Sequence, residues 1–398
     1  MNTIQPSSPT AVRPAWLTKT IAYYAAFIIL GLTAAVLGPT LQGLAENTGT
    51  LLSEISFLFS ARALGYLSGS LLAGRLYDRY SGHRVIALAL GLIAVALALT
   101  PLISLLWLLA AVTYILGIAE GTADLGGNLM LVWVHRAGVG PFMNGLHFCF
   151  GLGAFLSPVI VAQALHAGSG PQIAYWILAG LALPVSFFIL SQSSPLPEKS
   201  TPGEARKPSN PLLVALVGLF FFLYVGAESS YGGWIFTYAT RLGLGAAENA
   251  AYLTSAFWGA LTTGRLLAIP IATRLRARWI LLLDLVGCVA SMLVILFFPT
   301  SLIAVWIGTL GLGACMASIF PTTLTFAERR MEITGKASSW FFVGAGAGGM
   351  VLPWLIGQLF ERLGAYVTMY AILANLLLAG VVFAWMMFRA NPIASPGQ

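Results

Sequence analysis

Charge is what this sequence has least of: of its 398 residues only 8% are Asp, Glu, Lys or Arg, against about 25% in an ordinary soluble domain. So few charges cannot cover a water-facing surface, and a mean hydropathy of +0.87 with 58% hydrophobic residues makes lipid the expected solvent. Cysteine is scarcer still. Cys149, Cys288 and Cys315 fall inside apolar runs with neither paired nor metal-ligand spacing, which excludes a disulfide framework or a zinc site and leaves small core residues. There is no histidine pair with metal-ligand spacing, no nucleophile motif and no loop long enough for a soluble catalytic lobe, so an embedded enzyme is not expected and no cofactor is called for. The first 19 residues are polar and proline-rich. Without the apolar core and small-residue cleavage site of a signal peptide, they read as a disordered tail.

What the chain does have is long apolar runs separated by short polar punctuation. Twelve blocks are long enough to cross a hydrocarbon core of about 30 Å as helix, at residues 20–43, 52–75, 84–103, 106–134, 141–166, 172–191, 211–240, 249–273, 278–299, 302–327, 337–360 and 365–388. An all-α membrane protein is therefore expected. Lys and Arg in short connections are retained on the cytoplasmic side. One set of block ends carries sixteen of them, including Arg75, Arg79, Arg84, Arg136, Arg274, Arg276, Arg278, Arg329 and Arg330, and the opposite set only Arg241 and Arg362. Both termini are expected in the cytoplasm, with the chain in a plasma membrane such as a bacterial inner membrane. This bias accounts for the net charge of +7, so nucleic acid is not an expected partner.

The only long polar stretch, SQSSPLPEKSTPGEARKPSNP, falls after the sixth block and reads as a flexible linker. The expected organisation is a tail at 1–19, a six-helix bundle at 20–191, a linker at 192–210, a second bundle at 211–389 and a tail at 390–398. The halves are alike: LGYLSGSLLAGRLYDRYSGHR and WGALTTGRLLAIPIATRLRAR each run from a glycine-bearing helix into a basic loop. GPFMNGLHFCFGLGAFLSP likewise parallels TGKASSWFFVGAGAGGMVLP, ending on Pro158 or Pro353. Small residues at such spacing let helix backbones approach closely.

Twelve helices in two halves, with the loop GRLYDRYSGHR from Gly74 to Arg84, resemble the major facilitator superfamily. The loop departs from that family's signature by one extra residue between Arg79 and Gly82. The resemblance implies two pseudo-symmetric six-helix bundles, with Asp78 and Arg79 as gating residues. The runs GTADLGGNLMLVW, VGPFMNGLHFCFGLGAFLSP, LYVGAESSYGGWIFTYA, FWGALTTGRLLAIP, FPTTLTFAE and TGKASSWFFVGAGAGGMVLP are similar to the branch of sodium-dependent glucose transporters and fucose permeases.

Ionisable residues inside membrane blocks cost about 2.5–3.5 kcal/mol each near a helix centre, so each invites a function and a partner. Six stand out: Arg62, Glu120, Asp124, Glu228, Arg265 and Asp284. On the fourth block Glu120, Asp124 and Asn128 recur every four residues, drifting only about 40° per step, so they share one face. A carboxylate shielded from water can take up and release a proton or offer a hard oxygen ligand to sodium. The resemblance singles out Asp124 with Asn128 as the coupling and sugar site, with Glu120 or Glu228 as further cation ligands. Any metal is a transient Na+ at Asp124. Glu120 has an alternative role, as an ion-pair partner of Arg62. Asn144 and His147 share a face on the fifth block, in a region that carries sugar-contacting amides in the resembling branch. On the seventh, Glu228, Tyr231 and Trp234 supply the carboxylate and aromatic rings that a carbohydrate site uses. Arg265 and Asp284 lie at similar depth on consecutive blocks and are expected to neutralise each other as a structural or gating pair.

The expected function is Na+- or H+-coupled symport of a monosaccharide such as glucose by alternating access, in a monomer whose partners are the sugar and lipid. The alternative is a proton-coupled exporter of drugs or amphipathic compounds on the same fold. One departure from the branch counts against fucose itself: the first block carries no ionisable residue between Ile21 and Leu41, where fucose permease has an additional acid.

Overall fold

The computed structural model describes residues 15–195, 211–331 and 335–389, and within them every regular element is helical. In chain order these are α1 (Ala15–Thr48), α2 (Leu52–Ile55), α3 (Phe57–Arg79), α4 (Gly82–Leu99), α5 (Leu106–His135), α6 (Val139–His166), α7 (Gly170–Leu190), α8 (Pro211–Arg241), α9 (Ala247–Arg274), α10 (Ala277–Phe297), α11 (Leu302–Met316), α12 (Ile319–Glu328), α13 (Gly335–Leu363) and α14 (Val367–Arg389). The expected tails, except for residues 15–19, and positions 196–210 of the expected linker lie outside the described residues.

Lipid offers no partner to a backbone N–H or C=O, so each apolar run satisfies its own backbone as helix. Ten continuous helical stretches among the described residues are long and apolar enough to cross a bilayer; one of them, Leu106–His166, contains both α5 and α6. With α9, which matches them in length but is more polar, the described residues hold twelve crossing rods. Two rods are broken: α2 and α3 meet at Ser56, and α11 and α12 meet at Ala317–Ser318.

Packing repeats between the halves. α1 lies on α6 as α8 lies on α13, α3 on α5 as α9 on α11, and α4 on α7 as α10 on α14. The halves meet through α6 on α9, α3 on α13 and, centrally, α1 on α8. The α3–α5 crossing is the one on which the ionisable residues depend. Gly65 and Gly69 of α3 face the backbone of α5, and Gly117 and Gly121 of α5 face that of α3; a Cβ at any of the four would collide with a carbonyl oxygen of the other helix. That close approach brings the side chains between these glycines within hydrogen-bonding distance.

Candidate binding cavity between the two halves

A cavity of about 1380 Å³ separates the halves. It runs from Gly38, Phe59 and Gly232 in the middle of the bundle to Leu275, Ala277 and Arg329 at the arginine-rich end, where it opens. The opposite end is sealed by bonds from one half to the other. On α2, α3 and α13, the Leu52 N–H donates to Glu361 Oε1 (3.1 Å), Gln358 to the Ser53 carbonyl (2.6 Å) and Ser60 to the Met350 carbonyl (3.1 Å). On α6 and α9, Gln163 donates to Tyr252 (2.6 Å), Ser255 to the Phe155 carbonyl (2.7 Å), and His166 meets Glu248 at 3.2 Å. Between α8 and α1, Thr240 donates to Gln42 (3.3 Å).

In the first half the polar groups form two rungs between parallel helices. Arg62 of α3 grips Glu120 of α5 in a two-point pair, Nε to Oε2 at 2.8 Å and Nη2 to Oε1 at 2.6 Å, and its third nitrogen, Nη1, donates to the Ala34 carbonyl at 3.0 Å. One turn further, the Tyr66 hydroxyl donates to Asp124 Oδ2 at 2.6 Å, and Asn128 donates to the other carboxylate oxygen at 3.4 Å and to the Asp124 carbonyl at 2.9 Å. Glu120, Asp124 and Asn128 all line the cavity, as their four-residue spacing requires. The rungs differ in charge: the first cancels, whereas Asp124 has hydrogen bonds but no cationic partner among the described residues.

The second half is less tied. Glu228 and Arg265 both line the cavity, but among the described residues they form no ion pair. Asn144 and His147 line the wall from α6. Tyr231 and Trp234, expected at the substrate, are absent from the wall. Both are fully buried: the Tyr231 hydroxyl bonds to Thr309 at 2.7 Å, and Trp234 donates to the Pro353 carbonyl at 3.0 Å and stacks on Phe360. The physical reason is helical phase. Positions 228, 231 and 234 advance by three residues, which turns the stripe by about −60° each step, from the cavity to the back of α8.

Arg265 and Asp284 do not neutralise each other either. Arg265 points into the cavity, while Asp284 accepts from Ser318, the cavity-lining residue at the α11–α12 break. Asp78 and Arg79 are exposed at the arginine-rich end and hold no partner among the described residues. Among the cavity residues that a search for charged side chains passes over are Tyr66, Trp258 and Thr262. Tyr66 had a signal, since Arg62 to Tyr66 repeats the four-residue step from Glu120 to Asp124.

A sequence profile of the Major Facilitator Superfamily matches residues 23–353. The chain belongs to the major facilitator superfamily. Among curated relatives of this superfamily member, the sodium-dependent glucose transporter 1 of Xenopus laevis is 34% identical over 380 residues, 88% of this chain and 77% of that protein. Two solved structures share the fold at low identity. A bacterial homologue of the human lysosomal transporter Spinster, in an inward-facing and unoccupied conformation, superposes with a TM-score of 0.79 at 11% identity, covering 97% of this chain and all of that one. The D-xylose-proton symporter gives 0.74 at 12% identity over 95% and 98% of the two chains. Members of this superfamily are transporters rather than enzymes, and this one is a multi-pass membrane protein.

Proposed function

We propose that this transporter carries a monosaccharide, glucose or a related hexose, together with Na+ or H+. The observation that carries the reading is the second rung. Asp124 stands at the cavity wall with one oxygen bonded to Tyr66 and the other to Asn128, beside an ion pair whose charge is already cancelled. A cation arriving there meets a single uncompensated carboxylate with the Tyr66 hydroxyl oxygen beside it, and a hexose in the same cavity meets Asn128, Asn144, His147 and Glu228. The Xenopus laevis relative, a sodium-dependent glucose transporter by name, agrees with that chemistry.

The two bundles at 20–191 and 211–389 rock about the site, and the molecule works as a monomer in a bacterial inner membrane. The arginine-rich end and both termini lie in the cytoplasm, so the structure corresponds to an inward-facing state, with Asp78 and Arg79 at its open mouth. Purified protein in liposomes, offered labelled hexoses with a sodium gradient and a pH gradient imposed separately, should accumulate at least one sugar under one gradient. Asp124→Asn should still exchange that sugar across the membrane and should not concentrate it. No accumulation under either gradient, with extrusion of a cationic dye instead, would overturn the reading in favour of an exporter.

A further inference from the structure

We propose that Trp258 of α9 is the platform on which the substrate ring stacks, and that its indole N–H donates to a substrate hydroxyl. The proposal rests on the sugar reading above and replaces the aromatic contacts expected from Tyr231 and Trp234.

Three observations converge on this side chain. First, Trp258 lines the inner end of the cavity beside Phe59, Gly232 and Gly233. The glycine makes the room: a Cβ on Gly232 would sit 2.9 Å from the indole Cζ2 and 3.3 Å from its Nε1. Second, the ring has an aromatic neighbour: Phe257 meets it edge-on with centroids 5.3 Å apart. Third, the indole N–H has no acceptor and is covered beside Gly232 rather than open to the cavity; an unsatisfied buried donor costs about 1–3 kcal/mol, which a turn of the ring out from Gly232 onto a substrate hydroxyl would recover. Several buried polar atoms share that condition, but among the described residues Trp258 alone of them also lines the cavity.

The rest of the wall follows the same division. Arg62, Glu120, Tyr66, Asp124 and Asn128 bond to one another, whereas Asn144, His147 and Arg265 line the cavity with no hydrogen bond among the described residues. The unused capacity faces α9 and α6, where a polyol with one apolar face would find a ring to lie against and donors and acceptors around its rim.

The test is hexose counterflow into liposomes by full-length protein, comparing wild type with Trp258→Phe and Trp258→Leu across glucose and its monodeoxy analogues. Trp258→Phe keeps an aromatic face and removes the N–H, so it should raise KM for glucose about tenfold. For one monodeoxy sugar, lacking the hydroxyl that meets the indole, it should change nothing. Trp258→Leu should raise KM further for every sugar; if that variant fails to fold, the phenylalanine variant decides. A Trp258→Phe transporter with wild-type KM throughout, or with KM raised equally for every analogue, overturns the assignment and leaves sugar transport standing. If wild type shows no counterflow of any hexose, the sugar reading falls and this assignment falls with it.

Discussion

Arg62 and Glu120 are a buried pair whose side chains are 18% and 5% exposed, and the worth of such a pair lies mostly in what happens when half of it is removed. Two charges leaving water together roughly break even, but deleting one strands the other at a cost of about 3–5 kcal/mol. Glu120→Gln should therefore lower the midpoint of thermal unfolding in detergent markedly, because the Arg62 guanidinium keeps neutral acceptors, the amide oxygen and the Ala34 carbonyl, but loses its counter-charge. Replacing both, Arg62→Met with Glu120→Leu, should recover most of the loss. Asp124→Asn should behave differently. It strands no cation, and an amide still accepts from Tyr66, so its midpoint should stay within about 1 kcal/mol of wild type while coupling is lost. Unfolding by Glu120→Gln at the wild-type midpoint would show that Glu120 does not neutralise Arg62.

At the scale of elements, α1 and α8 cross where the halves meet, and the crossing has no room for a methyl group. A Cβ on Gly38 would lie 2.6 Å from the Gly232 carbonyl oxygen and 3.0 Å from Gly233 Cα. Both contacts are with backbone, which cannot swing aside as a side chain would. Gly38→Ala should therefore hold the sealed end open. With Cys149, Cys288 and Cys315 replaced by serine, a Ser60→Cys reporter should react faster with an impermeant maleimide from the side of Arg241 and Arg362 when Gly38→Ala is present; an unchanged rate would mean that the crossing does not govern the seal. The helices themselves were legible, since runs of apolar residues leave the backbone no alternative to helix. The breaks at Ser56 and Ala317–Ser318 were not, because neither position carries a proline or glycine to mark it. Faces were legible only in part. Four-residue steps kept Glu120, Asp124 and Asn128 on one wall, but periodicity does not say which side of a helix meets the cavity. That is why Tyr231 and Trp234 proved to be core and Trp258 wall. Which acid meets which base depends on rotation about neighbouring axes, and so Arg265 and Asp284 looked like partners until packing turned Arg265 to the cavity and Asp284 to Ser318.

For the whole molecule, the distribution of inter-half bonds is one-sided. Those that join the halves lie on the side of the cavity away from Arg329, at α2, α3 and α13, at α6 and α9, and at α1 and α8, while none among the described residues joins them at the arginine-rich mouth. Alternating access requires those bonds to break together as others form at the mouth, so the seal sets the population of this state directly. A neutral hydrogen bond contributes about 0.5–1.5 kcal/mol net. Removing two that lie on separate helix pairs, Gln358→Ala between α13 and α2 and Gln163→Ala between α6 and α9, should add nearly independently because they share no partner. The combined 1–3 kcal/mol, at about five- to 150-fold in an equilibrium constant, should shift the protein toward the state open at the opposite end. Spin labels at Glu46 and Arg362, both exposed at the sealed end, would report the shift as a longer-distance population in the double variant. Labels at Arg84 and Arg274, exposed at the mouth, should show a matching shorter one. If the outer pair lengthens while the mouth pair stays fixed, the halves do not rock as rigid bodies, and the seal is a local gate rather than one end of a single motion.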